Sequence, residues 1–139
     1  VHILTSILRV GAPGSHTDTA STGKGYTVGI GLNGQLNKVG YNIYGERRTS
    51  TSSGRMFENV VLCGHDEICS QIKKAHKMLS RFGIISWDFA VDENGEPILI
   101  EYNLNYPDVM IYQMNNGPLF GDLTQTVLED VREKLKKER

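Results

Sequence analysis

Ile85-Ser86-Trp87-Asp88-Phe89-Ala90-Val91-Asp92-Glu93-Asn94-Gly95-Glu96-Pro97-Ile98-Leu99-Ile100-Glu101-Tyr102-Asn103 is the stretch that decides the fold. Two apolar, alternating runs flank Asn94-Gly95, a dipeptide suited to the positive φ angles of a hairpin turn. A turn centred on Asn94-Gly95 pairs residues whose numbers sum to 189, so Asp88 faces Glu101. Asn103, two residues on, shares that face of its strand. Opposed carboxylates repel one another. Two carboxylates and an amide oxygen are the donors a hard ion such as magnesium prefers. A solvated face, or neutralisation by a nearby Arg or Lys, is the simpler alternative. Parity places Ala90 and Leu99 on the carboxylate face, and Phe89, Val91, Ile98 and Ile100 on the other. The sheet therefore reads as covered on both sides, where an unpaired carboxylate is costly. Asp92 shares the site face by parity but sits beside the turn, exposed.

The rest of the chain sets bounds on partners. Its 139 residues make one domain or less, able to bury roughly two-thirds of the unfolded surface. A net charge of -1 leaves no electrostatic footprint for nucleic acid. Lys134, Lys136, Lys137 and Arg139 read as a solvated helix end, where cations complement the helix dipole. Cys63 and Cys69 fit neither a disulfide framework nor a zinc motif, and Cys69 reads as a small apolar residue on a helix. Neither a signal peptide nor an apolar run of membrane-spanning length is present in these residues. A reducing, cytoplasmic setting with no membrane partner fits best.

Residues 3–10 read as a strand carrying Arg9, 11–25 as a loop, 26–32 and 35–44 as strands joined at Asn33-Gly34, and 45–55 as a polar loop. Asp66 predicts an N-cap for a helix over 67–82, with Ile68, Ile72, Ala75, Leu79 and Phe82 at helical spacing and Gly83 as its stop. Residues 103–119 show no period, and Leu123, Val127, Val131 and Leu135 mark a last amphipathic helix over 121–137. Thr22-Gly23-Lys24-Gly25 is not a phosphate loop. That motif needs Ser or Thr after the lysine and a glycine five residues before the second one, where Gly25 and Asp18 stand.

An Asp, a hairpin and then Glu-x-Asn resembles the magnesium-binding end of ATP-grasp enzymes, with Asp88, Glu101 and Asn103 in those places. Ile7-Leu8-Arg9-Val10, Gly23-Lys24-Gly25-Tyr26-Thr27-Val28-Gly29-Ile30, Asn103-Leu104-Asn105-Tyr106-Pro107-Asp108, Gln113 and Gly117-Pro118-Leu119-Phe120-Gly121-Asp122 follow an order similar to the sugar-transfer-associated branch, often encoded beside polysaccharide synthesis. The resemblance implies an α+β fold, an antiparallel sheet with packed helices forming the C-terminal subdomain of an ATP-grasp protein. Residues 1–139 would be a single domain whose partner is an N-terminal half upstream of Val1. It implies ATP and Mg2+ as cofactors and ligation of a small-molecule carboxylate to an amine or another nucleophile.

By the same resemblance, Asp88, Glu101 and Asn103 hold the metal, and Arg9 steadies the transferred phosphoryl group as catalytic and ATP-binding residue. Lys24 replaces one of the paired glycines near the active site. Asn105, Gln113 and Asn116, in the stretch after the metal ligands, are candidates to contact the acceptor substrate, while turn chemistry alone would explain Asn115-Asn116-Gly117. Many members carry an arginine two residues before the metal-binding Asp, whereas Ser86 stands here, which either makes Arg9 the substitute cation or signals a weaker site. Without the adenine pocket and phosphate lysines, residues 1–139 alone are expected to be inactive. The alternative is a non-catalytic ATP-grasp-like module binding a sugar precursor or a partner enzyme. A small calcium-binding domain is a weaker option, because no calcium-loop pattern is present.

Overall fold

One turn design shapes most of this chain. At Gly31–Gln35, Asn42–Glu46, Thr51–Arg55 and Asp92–Glu96, the first residue's N–H donates to the fifth residue's carbonyl at 2.8–3.1 Å. The fourth residue is glycine each time, at φ between 79 and 86°, a left-handed conformation that costs other residues a Cβ clash. Its N–H returns to the first residue's carbonyl at 3.0–3.1 Å. Asn42 and Asp92 reinforce their turns through side-chain oxygens that accept two backbone N–H groups each, at 2.8–3.0 Å. This is the three-residue hairpin loop, one residue longer than the tightest form.

The computed structural model describes residues 1–17, 22–105 and 108–137. It is α+β. β1 (Ile7–Val10), β2 (Tyr26–Ile30), β3 (Leu36–Tyr41) and β4 (Arg47–Arg48) form an antiparallel sheet in that order. β5 (Ser86–Val91) and β6 (Pro97–Asn103) form a separate two-stranded sheet, where a single sheet was expected. The polar stretch 45–55 is not a plain loop. It holds β4, bracketed by two of the turns, with Gly40 opposite Arg48 and Tyr41 opposite Arg47. Strand β1 is also shorter than the apolar run 3–10 suggested.

The core lies on one face of the larger sheet. Phe57, on a single 3-10 turn at Phe57–Asn59, and Val28 are both 0 % exposed, and Leu36 joins them. Leu8, Val10, Ile30 and Val60 pack around this cluster. The opposite face is covered by α2 (Met110–Asn116), a helix in a region that read as a loop without period. Seven residues show barely two turns, too few for a periodic signal. Tertiary hydrogen bonds hold it instead. Asn115 Nδ2 donates to Thr27 Oγ1 at 2.8 Å, and Asn37 Nδ2 donates to the Asn115 carbonyl at 2.8 Å. Asn116 Nδ2 donates to Thr5 Oγ1 at 2.7 Å and to the Ser6 carbonyl at 2.8 Å.

This close approach needs Gly29. A Cβ there would run into Asn116 Oδ1 and Asn37 Nδ2. Gly29→Ala is expected to lower stability by about 2–3 kcal/mol, the scale of overpacking a filled site. A urea melt checks it, and the second substitution Asn116→Ala should recover part of the loss.

α1 (His65–Met78) begins two residues before the expected start and stops short of Phe82. Gly64, at φ 74°, precedes it, and Asp66 lies inside the first turn rather than capping it. There it still favours the positive end of the helix dipole. The chain leaves α1 through His76, whose Nε2 is 2.9 Å from the Phe82 carbonyl. The His76 ring lies 6.5 Å from Trp87, which lies 5.3 Å from Tyr102, so a line of rings joins α1 to one face of the β5–β6 hairpin. α3 (Thr124–Lys137) follows a 3-10 turn at Gly121–Leu123, close to the expected 121–137. Among the described residues, no helix is long and apolar enough to cross a membrane.

Candidate functional site

The β5–β6 hairpin carries the predicted metal ligands, and its register decides whether they meet. Asp88 pairs with Glu101, Trp87 with Tyr102, and Ser86 with Asn103, as expected. Nearer the tip the pairs are Phe89 with Leu99, Ala90 with Ile98 and Val91 with Pro97, one residue out of step. The three-residue turn causes the offset, and the irregularity after Asp88, where Ile100 is the extra residue, cancels it. The expected facing of Asp88 and Glu101 therefore arises from two deviations of opposite sense. The tip faces are corrected accordingly: Ile98, not Leu99, pairs with Ala90 on the face that Asp88 shares.

The hairpin is also less covered than its apolar pattern implied. Ile98, Leu99, Ile100 and Tyr102 are each between 45 and 63 % exposed. Glu101 and Asn103 face solvent, while Asp88 is half-buried. Like charge at this pair is thus relieved mainly by water and by neighbours. Asn103 Nδ2 donates to Glu101 Oε1 at 3.4 Å. Arg9, reaching across from β1, places Nη2 3.7 Å from Asp88 Oδ2. That separation is an ion pair rather than a tight hydrogen bond, and its half-exposed guanidinium makes it worth little to stability.

The structure gives Tyr112, which the sequence suggests only as a loop anchor, a specific partner. Tyr112 on α2 places its hydroxyl 3.0 Å from Ser86 Oγ. Ser86 occupies the place of the expected arginine, and the Tyr112 hydroxyl, not a cation, fills the space beside it. No local sequence signal marks this pairing, because the two residues are 26 apart and the helix has no visible period. Arg9, Ser86, Asp88 and Tyr112 all line a cleft of about 1210 Å³ between the two sheets and the helices, walled mostly by apolar side chains. Such a cleft with a few convergent polar groups is the usual form of a ligand site.

The other predicted residues are less closely drawn in. Lys24 is exposed on the loop before β2 and forms no ion pair among the described residues. Asn105 is exposed just past β6. Gln113 Oε1 accepts from the Leu119 N–H at 3.2 Å, closing the chain behind α2, and Asn116 is committed to the sheet. No group of three His, Cys, Asp or Glu side chains gathers among the described residues, so any cation here must draw on Asn103 and solvent as well as the two carboxylates.

At the hairpin tip, Asp92 accepts the Glu96 and Asn94 N–H groups, and these bonds hold its carboxyl below the usual range. A depressed carboxyl contributes stability that is present above its unfolded pKa and lost as pH falls through the folded one. The expected result is that Asp92→Asn flattens the acid side of the hairpin's stability profile, measured by tryptophan fluorescence in urea from about pH 5 downward, where the native carboxylate's advantage is lost.

Comparison with curated proteins and with solved structures finds no match. The family model for sugar-transfer associated ATP-grasp matches residues 1–128. That span takes in Arg9, the whole carboxylate hairpin and α2. The chain belongs to the sugar-transfer associated ATP-grasp family.

Proposed function

We infer that this chain supplies the metal- and phosphate-binding part of an ATP-dependent ligase that joins a carboxylate to an amine or another nucleophile, in the assembly of polysaccharide or other cell-surface sugar. The observation that carries the reading is the pairing of Asp88 with Glu101 across the hairpin, with Arg9 approaching from the other sheet. The donor set fits magnesium: two carboxylates and one amide are hard oxygen donors, and Glu101 and Asn103 are open to solvent so that a hydrated ion keeps its waters. Asp88, Glu101 and Asn103 would hold it. A magnesium ion bound there would supply charge neutralisation for the phosphate oxygens of ATP.

The chain's own groups do the rest by position. Arg9 holds Asp88 loosely at 3.7 Å, so its planar guanidinium can exchange the carboxylate for phosphate oxygens, which it matches in geometry. Tyr112 engages the Ser86 hydroxyl and ties α2 to β5, fixing the strand that bears Asp88. The apolar walls of the cleft limit water around a reactive acyl phosphate. A cytoplasmic location is part of this reading, supported by ATP as substrate and by two cysteines that are both free.

The test is phosphate release by the intact protein with ATP, magnesium and a panel of carboxylates paired with amines. Turnover that requires both the carboxylate and magnesium supports the ligase. Turnover unaffected by chelating magnesium contradicts it. Magnesium-dependent ATP binding without turnover on any substrate pair would favour the non-catalytic module, whose target is a sugar precursor or a partner enzyme.

A further inference from the structure

The cleft that holds Arg9, Ser86, Asp88 and Tyr112 is far larger than that polar corner needs. Its volume is about 1210 Å³, above the roughly 300–1,000 Å³ of ordinary small-molecule sites. The polar side chains gather on one stretch of the wall, where β1, β5 and α2 approach one another. The opposite stretch is apolar: Ile72 of α1, Trp87 and Phe89 of β5, Leu123 and Val127 beside or on α3, and Phe120 just before them. All six are half-buried, facing the cleft rather than solvent. The lysine and remaining aspartate side chains of the lining are exposed and belong to its mouth. An apolar interior left unfilled forfeits the dispersion contacts that close packing supplies.

We propose that this cleft binds a carboxylate with a long aliphatic tail, the carboxylate at Arg9, Ser86 and Tyr112 and the tail between β5 and the α1 and α3 helices. The guanidinium offers a planar pair of donors, and each hydroxyl can turn its proton toward a carboxylate oxygen. A chain of methylenes suits the rest of the wall, where each buried CH₂ adds to affinity. A carboxylate as small as an amino acid would meet the donors and leave most of the apolar wall uncovered. A sugar in the same space would press hydroxyls against side chains that pair with none of them, at a desolvation cost for each. The proposal deepens the ligase reading by naming the class of its carboxylate, which puts the sugar precursor on the nucleophile's side. It rests on that reading for the fate of the carboxylate and not for its binding.

Trp87 is the single tryptophan and stands on the cleft wall, so its fluorescence reports occupancy. Straight-chain saturated carboxylates from butanoate to dodecanoate are titrated into the full chain without ATP or magnesium, below the concentrations at which they form micelles. Their affinity should rise about fourfold for each added methylene, the worth of one buried CH₂. The alcohol of equal length should bind at least roughly tenfold more weakly, the scale of losing hydrogen bonds to a charged group. That comparison needs no variant to fold. Arg9→Gln should weaken the carboxylates and leave the alcohols as they were, and Val127→Phe should end the rise at a shorter chain. An affinity that stops rising after the first few methylenes, alcohols that match the carboxylates, or no saturable binding would each overturn the proposal. All three leave the ligase reading standing, because turnover tests it. Chain-length-dependent binding of carboxylates that never support magnesium-dependent turnover would do the reverse.

Discussion

Glu101→Gln is expected to weaken magnesium-dependent nucleotide binding by more than roughly tenfold, since even residues placed behind metal ligands cost that much, and to slow turnover of the intact protein with it. The substitution keeps the side chain's shape and its contact with Asn103 and removes one negative charge opposite Asp88. Stability without metal should hold or rise, because a like-charge cross-strand pair is relieved. Asp88→Asn should match it in magnesium affinity and differ in stability. Asp88 has Arg9 beside it, so neutralising it gives up that ion pair, a loss of about 1 kcal/mol or less at a half-exposed site. Magnesium titrations and urea melts on both variants check this. Unchanged titrations in both would remove these carboxylates from the metal chemistry.

The largest loss of stability is expected from Phe57→Ala. Phe57 is fully buried against Val28 and Leu36 and lies against the flat back of Gly40, where a Cβ would sit 3.2 Å from its ring. Truncation empties the centre of the cluster, and the sheet cannot close over the gap, because the 3-10 turn is tied to β4's far end by the Phe57 N–H to Thr49 carbonyl bond at 2.9 Å. The cost should be about 3–5 kcal/mol, a large share of the 5–15 kcal/mol that is typical of a whole domain. Phe57→Leu, which refills most of the space, should cost clearly less. Equal urea midpoints for the two variants would show that the cluster is not the core.

The parts of this fold that the sequence disclosed are those with local causes. The hairpin, the first and last helices and the family resemblance all rest on patterns within a few residues of one another. α2 was missed because its stability comes from Asn115 and Asn116 reaching β2, β3 and the segment before β1, about 80–110 residues away. β4 was missed through its polar composition, although its two turns were legible: glycine three residues after Asn42 and after Thr51 repeats the spacing seen after Asp92. The facing of Asp88 and Glu101 was read correctly from a turn that is one residue too short. The same reading misplaced Ile98 and Leu99, because a bulge leaves no mark in an alternating apolar run. Tyr112 reads from sequence as a loop anchor, but its partner Ser86 was hidden for the reason α2 was, and Arg9's approach to Asp88 rested on resemblance, since nothing local links positions 9 and 88.

The offset between the two halves of the hairpin gives it an alternative way to zip. If pairing continued from the tip in step, without the extra residue, Ile100 would sit opposite Asp88 and Glu101 opposite Trp87. That register is free of carboxylate repulsion but turns Glu101 toward the aromatic line of His76, Trp87 and Tyr102. A cation held between Asp88 and Glu101 binds only the bulged register, so by mass action it shifts the population toward that register. On the proposed reading magnesium would act as a register selector, and hydrogen exchange at the Ile100 and Glu101 amides should then slow when magnesium is added while the Phe89–Leu99 pair nearer the tip stays unchanged.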